Sequence, residues 1–425
     1  MNIWIKNATV LTMDDKQMIL ENTNLYVEGN RILHIGEELR DFVAEKVIDA
    51  NKKVVMPGLI NCHTHIAMSV FRNYGNDVGL ETWLQDYIWP AESNLTPEDV
   101  RIGSEVSIAE MIESGTTTFV DMYYYMDEVA KASEKMGIRA VLTRGMTNPT
   151  KEILEGEREF YRNWHGKANG RIEMMVGSHS VYTNNKESLI KERDLADELK
   201  VGIHIHLNES QSEVENSIKD HKLAPLEFVD TLGMLNKKTI AAHCVWLSDR
   251  EKEIAIERQI NMVHNPASNM KLASGFMEAQ KMINAGANVC LGTDGSASNN
   301  VLDMFEEMKL ASLIAKGRYL DPQNLDAKTV LKMATVNGAK AIGKEGQLGK
   351  LKEGYLADLI IIDFDNLRHV PNNDIMAALV YSTNGFDVNT TIIDGNVLYE
   401  NNEHIGVDVE LLKEEVNNIF NRLVR

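Results

Sequence analysis

The chain has 425 residues, 44% of them hydrophobic, which is ordinary for a globular protein with a sizeable core. Acidic residues outnumber basic ones 63 to 44, and the resulting net charge of −19 repels phosphate backbones and anionic membranes, which argues against a nucleic-acid or membrane-surface binder. Three cysteines in so long a chain point away from a disulfide framework and towards a reducing cytoplasm; the polar start MNIWIKNATVLTMDD lacks the apolar stretch of a signal peptide, and no apolar run reaches bilayer length.

Residues 1–56 read as short strands and turns: NIWIKNATVLTM, then NTNLYVEGNRILHIG with a Gly-Asn turn, then EKVIDANKKVVMPG. The middle alternates strand and helix. Strand signals fall at 54–65, 116–122, 138–146, 172–180, 201–209, 239–245, 261–266 and 288–295, with amphipathic helical spacing between most of them, as in 97–115 and 188–200. Eight βα units in succession predict an α/β fold of the (β/α)8 TIM-barrel kind. Strand texture returns at 356–365 and 389–401, with a turn at Asp394-Gly395, and 409–424 has the spacing of a surface helix. Two β-rich ends around a different middle predict a small discontinuous β-sandwich domain. It takes residues 1–56 and 346–425, the C-terminal helix included, and the barrel takes 57–345.

The chemistry of such a barrel lies at its strand ends. Strand one ends in Asn61-Cys62-His63-Thr64-His65, where the i, i+2 spacing turns His63 and His65 to one face and suits a zinc- or iron-type divalent ion. Strand five ends in His204-Ile205-His206-Leu207-Asn208-Glu209; either histidine could be a third ligand. His206 lies nearer the mouth and is the expected one, with Glu209 as proton donor and His204 as a hydrogen-bonded histidine behind the site. His243, on strand six, could ligate a second metal or act as a base. Asp294, after strand eight in Gly292-Thr293-Asp294-Gly295, is placed to touch both an ion and its water. Strand four offers no lysine, and its only carboxylate, Glu173, sits at the N-terminal end, so no bridging ligand for two metals is available. One ion held by His63, His65, His206 and Asp294 is therefore expected, leaving His243 as a base. An ion with an open position lowers the pKa of its water to ~7. The resulting chemistry is hydrolytic attack on an electron-poor sp² carbon, with Glu209 protonating the neighbouring ring nitrogen.

MPGLINCHTH (56–65), HIHLNE (204–209), AAHC (241–244), HNPASNMKL (264–272), LGTDGSASNN (291–300) and GQLGKLKEGYLADLIIIDFD (346–365) together resemble the amidohydrolase superfamily, and more narrowly its 5-methylthioadenosine/S-adenosylhomocysteine deaminases. The resemblance covers nearly the whole chain. It implies a barrel flanked by a discontinuous sandwich, and hydrolysis of an adenine to a hypoxanthine ring with loss of ammonia. It also implies substrate contacts. Glu92 in WLQDYIWPAE matches a carboxylate that holds ribose hydroxyls, and Trp83 an aromatic packed on the ligand. Arg144 in LTRGM matches an arginine reaching the amino-acid end of the nucleoside, and His179 in GSHSVY a histidine near the purine–ribose junction. A second family arginine has no clear match in TNPTKEILEGEREF (147–160), where Lys151 and Arg158 are the only candidates. That weakens the expected grip on a homocysteine carboxylate more than on methylthioadenosine.

Three functions are weighed: adenine-nucleoside deaminase; the same chemistry on guanine, a pterin or a chlorinated triazine; and a non-catalytic barrel scaffold. The scaffold should lack ligands, and all four are present. The expected partner is a small-molecule nucleoside, with no nucleic acid and no membrane, in a cytoplasmic enzyme; a homo-oligomer is compatible with the sequence. Zinc is the expected ion and iron(II) the alternative. His264 reads as a loop histidine bonded to backbone, and His34, His165, His221, His369 and His404 as surface residues. The cysteines read as small packing residues turned away from the site by strand alternation. Ser296 and Asn299 are candidate pocket-shaping residues, and Tyr123–Tyr125 either line the mouth or cover the barrel.

Overall fold

In the computed structural model, which describes residues 1–424, burial alternates along the first strand, Ile3–Leu11: Ile3, Ile5, Ala8 and Val10 are buried and Trp4, Lys6 and Thr9 are less so. This period-two pattern builds a sheet with one apolar face. Ile3–Leu11, Ile19–Glu28, Arg31–Gly36, Lys46–Asp49 and Lys53–Pro57 join Leu359–Asp363, Val388–Ile393, Asn396–Glu400 and Glu403–His404 in one nine-stranded sheet. Lys53–Pro57 is the seam, parallel to Ile3–Leu11 on one side and antiparallel to Leu359–Asp363 on the other. The sheet doubles over into a sandwich. The Gly29-Asn30 hairpin tip meets the Asp394-Gly395 turn, where the Asn30 amide donates to Asp394 Oδ1 at 3.1 Å, and Ile3, Leu25, Ile32, Leu359 and Val397 share one core.

The barrel strands are Leu59–Thr64, Thr116–Tyr123, Arg139–Arg144, Ile172–Met174 continued by Val176–Ser180, Ile203–Leu207, Ile240–His243, Asn261–His264 and Asn288–Leu291. Neighbours pair in parallel within two groups, strands one to four and four to eight. A bridge between Met146 and Ser178 links the groups on one side, and the Asp294 N–H donates to the His63 carbonyl at 2.9 Å on the other. Helices follow the strands. Pro97–Glu113 starts on a capping box in which Thr96 and Asp99 exchange side-chain and backbone hydrogen bonds.

The apolar run 54–65 belongs to two structures. Its first part lies in the sandwich and its second in the barrel, with Gly58 between them. A Cβ at Gly58 would lie 2.2 Å from the Thr117 side chain, so only glycine fits where the chain crosses. A second join is ionic: Arg139 of barrel strand three is buried and grips Asp358 at 2.9 and 3.1 Å and Asp394 at 3.4 Å. The C-terminal helix Val409–Val424 buries Leu412 and Ile419 and sends Arg422 to Asp99 at 2.5 Å. Among the described residues, no helix is long and apolar enough to cross a membrane.

Two expectations change. His369 is not a surface residue: it is 2% exposed, stacked on Phe364 and bonded through Nε2 to Thr383 Oγ1 at 2.9 Å. The cysteines are buried and unpaired, but alternation is not what places Cys62. The ladder between strands one and two shifts register between Asn61 and Thr64, an irregularity that re-aims side chains. Cys62 and Cys290 join Val120, Val141, Met175, Ile240 and Val263 in one apolar layer, to which every barrel strand but the fifth contributes.

Candidate metal and active site

Four strand ends converge. His63 and His65 come from strand one, His206 from strand five, His243 from strand six, and Asp294 from the turn after strand eight. Their backbone is bent to do so: Asn208, His243 and Asp294 take positive φ of 54°, 72° and 61°, strained values for non-glycine residues. The ligand atoms of His63, His65 and His206 lie within 4.8 Å of one another, as do those of His63, His243 and Asp294. Asp294 Oδ1 is 3.2 Å from His65 Nε2 and 3.5 Å from His63 Nε2, while its Oδ2 accepts from Ser268 at 2.6 Å and Ser298 at 3.0 Å.

The tautomers follow from the outer contacts. The Thr143 hydroxyl donates its one proton to the Asp121 carbonyl at 2.6 Å, so it accepts from His204 Nδ1 at 3.2 Å. His204 Nε2 is then an acceptor, and His63 Nδ1 donates to it at 2.9 Å. His65 Nδ1 donates to the Met122 carbonyl, and His206 Nδ1 to that of His179 at 2.6 Å. All three Nε2 atoms thus face inward, and those of His63 and His206 are lone pairs, that of His63 buried with no hydrogen-bond partner. Burial would lower the His65 imidazole, but Asp294 raises it to about 9, so His65 Nε2 offers its lone pair once an ion displaces the proton that Asp294 favours there. Three imidazole lone pairs and a carboxylate fit a divalent ion, and the Nδ1 partners are the outer contacts that such ligands use. Burial works against charge on Asp294, yet the charged His65 imidazole at 3.2 Å outweighs it and holds the carboxyl well below its usual range. Burial lowers His63 to about 3.

Beside this cluster, His243 donates from Nδ1 to Asn269 Oδ1 at 2.9 Å, leaving Nε2 3.6 Å from Glu209 Oε2. Burial pushes the Glu209 carboxyl up, against the pull of His243 and with help from Asp294, so the acid form needed for proton donation is favoured. These groups open into a cleft also lined by Trp83, Glu92, Tyr123 and His179. Trp83 starts a π-helical turn, Trp83–Ile88, and is 5% exposed. Burial raises Glu92 to about 7 while the Tyr123 hydroxyl, donating at 2.6 Å, opposes this. Burial lowers His179 to about 4, so that imidazole is neutral.

The sequence expectations are thus brought together at one mouth, Arg144 excepted: it lines an outer chamber and its Nε lies 2.5 Å from Glu157 Oε1. Lys151 and Arg158 line neither chamber, and Arg158 is paired with Glu198 at 2.7 Å. His264 ends strand seven rather than lying in a loop, and neither ring nitrogen finds a partner. Asn299 does not line the cavity; it donates to the Thr293 carbonyl at 2.7 Å and to Glu307 at 2.6 Å, bracing the turn that carries Asp294, and Ser296 is fully buried nearby. Glu213 was not foreseen: its carboxylate accepts from the backbone N–H groups of Asn208 at 3.1 Å and Glu209 at 2.7 Å. Its signal was faint, a carboxylate four residues after Glu209 at a helix start.

Residues 54–398 match the amidohydrolase family. A 5-methylthioadenosine/S-adenosylhomocysteine deaminase of Thermoanaerobacter pseudethanolicus is 47% identical, with 100% of each chain covered. A 5′-deoxyadenosine deaminase of Methanosarcina barkeri is 46% identical over 100% of this chain and 98% of its own. Among solved structures, an adenosine deaminase from Xanthomonas campestris with bound zinc has a TM-score of 0.95 at 32% identity, covering 99% of this chain and 98% of that one.

Proposed function

Because the chain belongs to the amidohydrolase family, we propose that it is a metal-dependent deaminase of adenine nucleosides, releasing ammonia and leaving the hypoxanthine product. The observation that carries this reading is the pairing of a buried acid, Glu209, whose carboxyl burial pushes up, with His243 at 3.6 Å beside the inward-facing imidazoles. Amide hydrolysis needs no acid for a ring nitrogen; removal of an aromatic amino group does.

His63, His65, His206 and Asp294 would hold one ion, zinc by analogy with the neighbour that carries it. When bound, such an ion acts as a Lewis acid that lowers the pKa of a water to ~7. The protein's own groups do the rest. Glu92, with one oxygen engaged by Tyr123, offers the other to the ribose diol, and Trp83 packs on the ligand. His179 faces the junction of purine and ribose. Glu209 gives its proton to the ring nitrogen beside C6, so negative charge does not accumulate on the ring as water adds. His243 Nε2 and Asp294 orient the attacking water and take its proton, which then travels to the departing amine as ammonia leaves. Three unpaired, buried cysteines support a cytoplasmic site of action.

The test is ammonia release by metal-reconstituted protein given methylthioadenosine, S-adenosylhomocysteine, adenosine or guanine. Turnover of at least one adenine nucleoside in preference to guanine is expected, and no turnover of any adenine nucleoside rejects the reading. Asp294→Asn should lower kcat by about 10²-fold or more, as loss of a positioned acid–base group does.

A further inference from the structure

The inner cavity and an outer chamber share Trp89, Glu92, Tyr124 and His179, so they adjoin. A nucleoside with its base at Glu209 and its ribose at Glu92 sends its 5′ substituent into the outer chamber. Arg144 is the only lysine or arginine among the described residues that line either space. Its charge is already answered. Glu157, on helix Lys151–Trp164, is 0% exposed and lies 2.5 Å from Arg144 Nε. Neither Glu157 oxygen has a hydrogen-bond partner, and Arg144 Nε has none either, so the two are held together by charge. Burial raises the Glu157 carboxyl to about 7 against the pull of Arg144, so drawing Arg144 away would cost either an unpaired buried charge or the uptake of a proton. Glu92 adds a second carboxyl to the same chamber.

We propose that Glu157 is a specificity-determining positioning residue: by compensating Arg144 it makes the outer chamber a site for uncharged 5′ substituents, such as hydrogen, hydroxyl or methylthio, and disfavours those ending in a carboxylate. The proposal rests on the deaminase reading. The discriminating experiment measures kcat/KM of zinc-loaded enzyme for 5′-deoxyadenosine, methylthioadenosine, S-adenosylhomocysteine and 5′-S-(2-carboxyethyl)-5′-thioadenosine. The two uncharged substrates should exceed the two carboxylates by about tenfold or more. Glu157→Gln keeps the shape and removes the charge; it should raise the carboxylate-to-neutral ratio about tenfold, chiefly through a lower KM for the carboxylates. Damage to packing alone would lower all four substrates together and leave the ratio where it was, which overturns the proposal. So does a wild-type preference for carboxylates. Arg144→Gln gives an independent reading: the carboxylate-to-neutral ratio should change little, and a selective loss of carboxylate turnover overturns the proposal. Absence of turnover for all four nucleosides is a different failure, that of the deaminase reading, and the proposal falls with it.

Discussion

His63 Nε2 faces Asp294 with no proton to give it, because the hydrogen-bond chain from Asp121 through Thr143 and His204 fixes the proton on Nδ1. That chain makes a residue far from any substrate matter. Thr143→Val removes the hydroxyl and frees His204 and His63 to exchange tautomers; zinc affinity, measured by competition with a chromogenic chelator, should fall about 10–100-fold. His243 makes the opposite kind of prediction. Its Nδ1 is held by Asn269 and its Nε2 faces Glu209, so as a base it is dispensable for metal retention. His243→Ala should still hold about one zinc per chain by elemental analysis while kcat drops about 10²–10⁴-fold. A loss of metal in that variant would make it a ligand instead. The ligand and acid candidates were legible because His-x-His at a strand end and Glu209 just after the fifth strand are local patterns. The Arg144–Glu157 pair was not, since it joins a strand end to a separate helix across an intervening loop.

Elements position these residues, and one of them carries a pH-dependent load. Helix Lys186–Leu199 packs Glu192 inward, fully buried, and burial pushes its carboxyl up to about 8, with the Ser178 hydroxyl only partly opposing. The unfolded chain titrates this group near the usual 4.5. Between those two values the native state keeps a proton that the unfolded state has lost, so stability falls as pH rises, at up to about 1.4 kcal/mol per pH unit. Glu192→Gln should remove that slope. In urea titrations its midpoint should gain on the wild type from pH 5 to pH 8, and parallel midpoints would reject the assignment. Helix and strand positions were readable from periodicity, as in Pro97–Glu113 and Val409–Val424. The division of the run 54–65 at Gly58 was not, because the apolar texture is continuous there and only the approach of Thr117 reveals the crossing.

At the scale of the whole molecule, the barrel is pinned where its first and eighth strands meet, through Asp294 N–H to the His63 carbonyl, beside residues that would hold the ion. Binding only to the folded state stabilises it by mass action. Stripping metal with a strong chelator should abolish activity and lower the melting temperature, and adding zinc should restore both; an unchanged melting temperature would place the ion's binding elsewhere. The eight-strand order was legible because each strand carries its own apolar run, and the shared sheet because both ends have the same texture. The doubling of that sheet and the burial of His369 were not, being set by contacts between distant segments.

The seam strand Lys53–Pro57 also dictates an order of events during synthesis. Its partner Leu359–Asp363 leaves the ribosome roughly 300 residues later, a delay of about 15–60 s at about 5–20 residues per second. Throughout that interval the nascent chain carries one open strand edge, Val54 to Met56, while the barrel segments emerge behind it. An unpaired apolar edge is a template for intermolecular pairing. The yield of active protein therefore depends on how crowded the chain's surroundings are before its own C-terminal strands arrive.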